Sequence, residues 1–158
     1  AAVGGVVIEA TPTDVRYPGA GPDALVDGRV GSGDFRDGRW LAYDGVDFEA
    51  TLDLGTPQTV ARVGIDCLQV QSAWILLPRA IRASVSTDGQ AWSDLPALMV
   101  APEADDRVEA RLLSVDVGGA PVRYIRVHAT NTQPLPEWHP GAGETGWIFV
   151  DEIVVDTT

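Results

Sequence analysis

The groups in this chain that could attack a substrate, carry protons or hold a metal are few in kind: two histidines, one cysteine, hydroxyls and 23 acidic residues. Nucleophilic catalysis needs a serine or cysteine held beside a base. No Gly-x-Ser-x-Gly elbow occurs. His128 alternates within an expected strand and His139 sits in a loop, so nothing in the spacing marks a triad. Cys67 falls on the inward side of an alternating run and reads as a small buried hydrophobe. A single cysteine also excludes an internal disulfide framework and a cysteine-based zinc cluster. Glycoside hydrolysis needs two carboxyls at a defined separation across a cleft. Most of the acids here read instead as solvated surface.

Two loop features carry more. The stretch Ala24-Leu25-Val26-Asp27-Gly28-Arg29-Val30-Gly31-Ser32-Gly33-Asp34 combines carboxylates, glycines and a hydroxyl. Calcium takes six to eight oxygens, many of them backbone carbonyls, so such a loop can contribute to a site. It lacks EF-hand spacing, and by spacing alone a plain Asp-Gly turn is the better reading. The second feature is aromatic. Trp40, Tyr43, Trp74, Trp138 and Trp147 lie at or near expected loops. Apolar sugar faces stack on such rings while polar neighbours fix the hydroxyls. Trp40, Trp92 and Trp147 read as caps on the core. Trp138 lies between Pro136 and Pro140 beside Glu137 and His139, and is expected to be exposed.

The charge balance bounds the partners. Asp+Glu exceed Arg by enough to give a formal net charge of -12, and the 11 basic residues are all arginine. Such a surface argues against nucleic acid and anionic membrane, and leaves a neutral or cationic ligand open. No run approaches the roughly 18 apolar residues of a membrane span. Ala1 to Ile8 lacks a charged n-region and does not read as a signal peptide; secretion stays open.

The elements that must position these groups are strands. Phe48, Ala50, Leu52 and Leu54 alternate with Glu49, Thr51 and Asp53. The same period of two runs through 61–67, 81–85, 113–117 and 125–129. Trp147 to Val155 is more continuously apolar, as a central strand would be. Val3 to Ile8 is a further candidate. No window carries a helical stripe. Asp88-Gly89 makes a turn, with Trp92 packing back over it. Three long loops, about 18–43, 95–108 and 131–146, are the places for function. The expectation is one domain, 1–158: an all-β antiparallel sandwich or barrel.

Five segments in order sharpen that expectation. They are Ala24-Leu25-Val26-Asp27-Gly28-Arg29-x-x-Ser32, Phe48-Glu49-Ala50-x-Leu52-Asp53-Leu54-Gly55, Val85-Ser86-x-Asp88-Gly89-x-x-Trp92, Arg123-Tyr124-Ile125-Arg126-Val127 and Asp151-Glu152-Ile153. Together they resemble the discoidin, or coagulation factor V/VIII type C, superfamily, the galactose-binding-like jelly roll that includes family 32 carbohydrate-binding modules. A narrower likeness rests on Gly31 to Phe35, on Trp74-Ile75 followed by Pro78-Arg79, and on Trp138-His139-Pro140-Gly141-Ala142-Gly143 leading into Trp147 to Ile153. These segments look like the C-terminal accessory domain of bacterial family 20 beta-N-acetylhexosaminidases.

The resemblance implies a jelly roll with a structural calcium. By position its ligands would be the carbonyls of Ala24, Arg29, Ser32 and Asp151, the Ser32 hydroxyl, and the carboxylates of Asp27 and Glu152. This overturns the plain-turn reading of the first loop. The usual galactose constellation does not transfer, because the stretch Gln71 to Pro78 holds no asparagine. The remaining sugar candidates are Tyr43, Asp44, Trp74, Trp138 and His139. The implied function is non-catalytic carbohydrate binding, with an N-acetylhexosamine-containing glycan as a candidate partner. The implied setting is an accessory module of a secreted or periplasmic bacterial glycoside hydrolase. The alternative is a docking domain without sugar affinity, with the apolar run Trp74-Ile75-Leu76-Leu77 as its contact with a catalytic domain.

Overall fold

The computed structural model describes residues 5–28 and 31–157. Ten strands run β1 (Val6–Ala10), β2 (Leu41–Asp44), β3 (Phe48–Thr59), β4 (Arg62–Gln69), β5 (Ala80–Ser86), β6 (Ser93–Asp94), β7 (Leu98–Met99), β8 (Glu109–Asp116), β9 (Pro121–Thr130) and β10 (Trp147–Asp156). One sheet has the order β1-β3-β9-β5-β6 with β7 also on β5, and the other β2-β10-β4-β8. Every pairing within the sheets is antiparallel. The architecture is an all-β sandwich.

The period-two runs explain the packing. Phe48, Ala50, Leu52 and Leu54 of β3 meet Val63, Ile65 and Cys67 of β4 in one core, joined by Ile81, Ala83 and Val85 and by Ile125, Val127 and Ala129. A one-residue slip in any of these strands would turn its apolar set to water, so the pattern itself sets the register. The β1 candidate is Val6–Ala10; Val3 lies outside the described residues.

The late part of the first long loop departs from expectation. It contains a strand, β2, between β10 and a segment carrying Tyr17. The strand shows no alternation because both its faces are covered. Leu41 and Tyr43 enter the main core, while Trp40 and Ala42 enter a second cluster with Leu68, Val70, Ile75 and Phe149. That second cluster sits on the outer face of the smaller sheet, roofed by Tyr17 and Phe35. It also explains the continuous apolarity of β10: Ile148 and Val150 face the main core, and Phe149 faces the second. Two-sided burial erases the period-two signal.

Within the run Trp74 to Leu77, Ile75 belongs to this outer cluster and Leu77 packs against the main core. Ile75 bridges to Val70 and to Trp147, and Ile75 and Leu76 are buried. Only Trp74 of the four is substantially exposed, at 38%. The run is therefore not the open apolar patch that the docking alternative required.

Candidate functional site

Two of the three long connections, 95–108 and 131–146, meet beside the shorter one that follows β4. After β4 the chain makes a short 3-10 turn, Gln71–Ala73. Gln71 there ties the loops together. Its side-chain Nε2 donates to the Glu103 carbonyl at 2.8 Å, and its Oε1 accepts the Asp105 amide at 2.9 Å. Its main-chain carbonyl accepts from His139 Nε2 at 2.7 Å. A carbonyl can only accept, so Nε2 carries the imidazole proton. Nδ1 is then free to accept the Gly141 amide, at 2.9 Å. The His139 ring is buried, at 4% exposure, and both its nitrogens are used within the protein. Sequence reasoning gave this ring the task of bonding sugar hydroxyls. The structure shows it fastening the 136–143 loop to the turn at Gln71.

These contacts frame a cavity of about 500 Å3 lined by Gln71, Ser72, Asp105, Asp106, Trp138 and Pro140, with His139 behind. Trp138 is 41% exposed, and its ring meets His139 edge-on at 6.0 Å. Of the other tryptophans, Trp74 is 38% exposed, while Trp40, Trp92 and Trp147 are more covered. Trp40 is in the outer cluster, Trp92 lies under the Arg126 guanidinium at 4.2 Å and Trp147 under that of Arg16 at 4.7 Å. Trp74 has φ 66°, and its ring packs so closely on Gly141 that a side-chain carbon there would come within 2.8 Å of it. Its ring meets His139 edge-on at 5.9 Å without lining the cavity.

The remaining sugar candidates lie elsewhere. Tyr43 is in the main core, 1% exposed, its ring 4.9 Å from that of Phe48. Burial pushes its hydroxyl pKa up, and it cannot stack on a ligand. Asp44 is exposed on β2 and pairs with Arg16 at 3.4 Å, away from Trp138. The residues missed from sequence are Gln71, Ser72, Asp105 and Asp106. The length and acidity of the 95–108 loop were the available signal for the last two.

Asp105 is held ionised. The Arg107 guanidinium, 2.6 Å away, keeps its carboxyl well below the usual carboxylate range, helped by the Arg107 amide. Asp106 is exposed beside it. The walls are thus fixed by internal hydrogen bonds while the mouth stays charged and open.

The groups that could catalyse are not gathered at this pocket. Cys67 is buried, and desolvation followed by the charges of Asp66 and Asp151 pushes its thiol well above the ordinary value. His128 is outward on β9, 3.0 Å from Asp47 and 3.4 Å from Glu49.

The residues proposed for a cation occupy a different region. The 3-10 turn Pro22–Val26 inserts Ala24 and Leu25 into the core and packs on β10. A bulge in β10 between Val150 and Glu152 breaks the alternation. Asp151 and Glu152 are therefore both buried, at 1% and 5% exposure. Asp151 Oδ2 accepts the Gly31 amide, while Oδ1 is buried without a hydrogen-bond partner among the described residues. Burial first, then the neighbouring Asp66 carboxyl, push the Asp151 pKa up to about 8. Two adjacent buried carboxyls with an orphaned oxygen are chemistry that fits a hard cation. Other proposed donors are engaged within the protein. The Ser32 carbonyl accepts Trp40 Nε1–H at 2.9 Å, and the Ser32 hydroxyl donates to Asp37 at 2.8 Å. The Ala24 carbonyl accepts the Asp27 amide at 3.4 Å. Arg29 lies outside the described residues. Among the described residues, no group of three or more His, Cys, Asp or Glu is gathered for a metal.

A family model described as F5/8 type C domain matches residues 8–151. The chain belongs to the F5/8 type C domain family. Solved structures agree on the fold. This F5/8 type C chain is similar to CBM32-3 from a family 31 glycoside hydrolase of Clostridium perfringens, with 15% identity, TM-score 0.62, and 98% of this chain and 91% of that one covered. It is similar to the C-terminal domain of a chitobiase from Bacteroides fragilis, with 17% identity, TM-score 0.56 and coverage of 98% and 93%. It is also similar to the family 31 glycoside hydrolase module CBM32-2 bound to GalNAc, with 16% identity, TM-score 0.62 and coverage of 98% and 99%. No curated protein matches the chain in sequence.

Proposed function

We propose that this F5/8 type C domain is a non-catalytic carbohydrate-binding module that takes its ligand at the Trp138 pocket. The observation that carries the reading is an uncovered indole over a cavity of about 500 Å3 whose polar rim is pre-fixed by Gln71 and His139. A flat apolar ring with nearby amide, hydroxyl and carboxylate groups suits a pyranose, and a rigid site spares the cost of ordering loops on binding. Structural relatives that are carbohydrate-binding modules, one of them bound to GalNAc, support the same reading. N-acetylhexosamine-containing glycans are the ligand class proposed here. The domain's setting is an extracellular bacterial glycoside hydrolase, of which the hexosaminidases are the favoured type; no helix among the described residues is long and apolar enough to cross a membrane.

A calcium ion at Asp151 and Glu152 of β10, reached also from Ala24, Asp27, Arg29 and Ser32 on the first loop, is proposed as a structural cofactor. It would supply positive charge to the buried acids and tie that loop to β10.

Titration of GlcNAc, GalNAc, galactose and their oligomers, followed by tryptophan fluorescence, tests the binding. Wild-type protein should respond and Trp138→Ala should not. Silence of the wild type across hexosamine and galactose oligomers sinks the reading.

A further inference from the structure

A sheet edge presents unpaired amides and carbonyls that will pair with another strand unless something prevents it. This sandwich protects its edges unevenly. At β2 the Ala42 amide donates to the Tyr17 carbonyl at 3.0 Å, and Pro18 bridges to Leu41, so that edge is covered. β1 is interrupted by a bulge between Val7 and Glu9. β6 and β7 are two residues each. β8 has none of these devices. It runs for 8 residues in unbroken register with β4, and among the described residues it pairs with no other strand. β7 passes near it without pairing.

The side chains of this edge do not deter pairing either. Edges are commonly defended by outward charges, lysine above all, and this chain has no lysine. Leu113 and Val115 of β8 enter the main core, while the alternate positions Val108, Ala110 and Leu112 are apolar and exposed. Leu112 lies against Gly64 of β4, where a side-chain carbon would come within 2.9 Å of it.

The sequence around Ala110 is complementary to itself. With Ala110 set opposite Ala110 of an antiparallel second copy, Val108 faces the second copy's Leu112 and Glu109 faces its Arg111, and both pairs repeat across the two-fold axis. Opposed apolar groups and opposed unlike charges are the pairs that stabilise antiparallel strands. Sliding the register by two residues either way sets Arg111 against Arg111 or Glu109 against Glu109, so the charges select one alignment. Within one copy Arg111 already touches Glu109 at 3.2 Å, and a second copy extends that pair into a four-charge cluster.

We infer that β8 is a homodimer edge: two copies of this chain pair antiparallel through 108–112 and continue the smaller sheet across the seam. The same patch serves both copies, so the assembly closes at two.

Sedimentation velocity tests this, at about 10 to 500 µM protein because a short seam lies at the weak end of interfaces. Salt of about 0.15 M screens the net charge of -12 on each copy beyond about 8 Å and leaves contacting pairs in place. The mass should rise from 16.8 kDa toward twice that value. Leu112→Lys, Arg111→Glu and Glu109→Arg should each raise the dimer dissociation constant roughly tenfold or more. The double variant Glu109→Arg/Arg111→Glu inverts both opposed pairs and should restore the dimer. Ile8→Lys, on the exposed face of β1, should leave it unchanged. A mass of one copy at every concentration overturns the inference. So does a dimer that persists in Leu112→Lys, one that is lost in Ile8→Lys, or one lost in both single charge variants and not regained in the double variant.

Discussion

At the Trp138 pocket the polar atoms that shape the walls are bonded to one another. Gln71 uses both ends of its amide and its own carbonyl, and His139 uses both ring nitrogens. At Asp151 and Glu152 the reverse holds. There the bulge turns two neighbouring carboxyls inward, and an oxygen of Asp151 has no hydrogen-bond partner among the described residues. The first region is complete before any ligand arrives and presents spare charge and an aromatic face to solvent. The second carries its spare charge inside, where it opposes folding unless something neutralises it. Acidic residues thus sit in two opposite settings: charged at a wet rim, and dependent on a cation or a proton in a dry interior.

The sharpest way to break this contrast is through pH and calcium. Asp151 has its pKa raised from 3.8 to about 8. A raised acid pKa means that the folded state holds a proton that the unfolded state has released. Stability is therefore undiminished below about pH 4, falls as pH rises, and levels off above about pH 8. In EDTA the melting temperature should drop between pH 5 and pH 8, by the equivalent of about 3 to 5 kcal/mol. Calcium should restore it at pH 8 and do little at pH 5. A melting temperature indifferent to both pH and calcium would remove the distinction.

The next effect is on the pocket's frame. His139→Ala empties a buried site and strands the Gly141 amide and the Gln71 carbonyl, so it should cost about 2 to 3 kcal/mol in denaturant unfolding. It should also weaken sugar binding, since the 136–143 loop loses its fastening. Gln71→Ala should loosen the acidic loop by about 1 to 2 kcal/mol and raise protease sensitivity around 103–107.

Trp138→Ala should separate binding from stability. Its ring is open to solvent, so unfolding should shift by less than about 0.5 kcal/mol, while sugar affinity falls tenfold or more, about 1.4 kcal/mol. The smallest effect belongs to Asp44. Its pair with Arg16 is solvent-exposed, so Asp44→Ala should change stability by about 0 to 0.5 kcal/mol and leave sugar binding alone. A clear binding loss in Asp44→Ala would redraw the site toward β2.

The inward faces of β3, β4, β5 and β9 were legible because one side of each meets the core and the other meets water. Phe48-Ala50-Leu52 and Val63-Ile65-Cys67 needed no partner to be recognised. Trp138 was legible as an exposed ring because prolines flank it in a polar loop. Tyr43 was not legible. Its strand is covered on both faces, by the main core and by a cluster assembled from Trp40, Val70, Ile75 and Phe149, and that cover comes from distant segments. Gln71 gave no signal either. A single amide in a loop resembles any other until the loops at 103–105 and 139 come against it.

The sequence alone therefore determined the class of fold, the register of its main strands, the family and the acidic character. These follow from local periodicity and from ordered motifs, which need no long-range information. Only the tertiary structure decided which loops share a pocket, and that Asp151 and Glu152 are both buried. Those outcomes depend on strand order and on a bulge in β10, contacts between residues far apart in the chain. A side chain's surroundings are set by what packs on it, and for these residues the packing comes from other strands and loops.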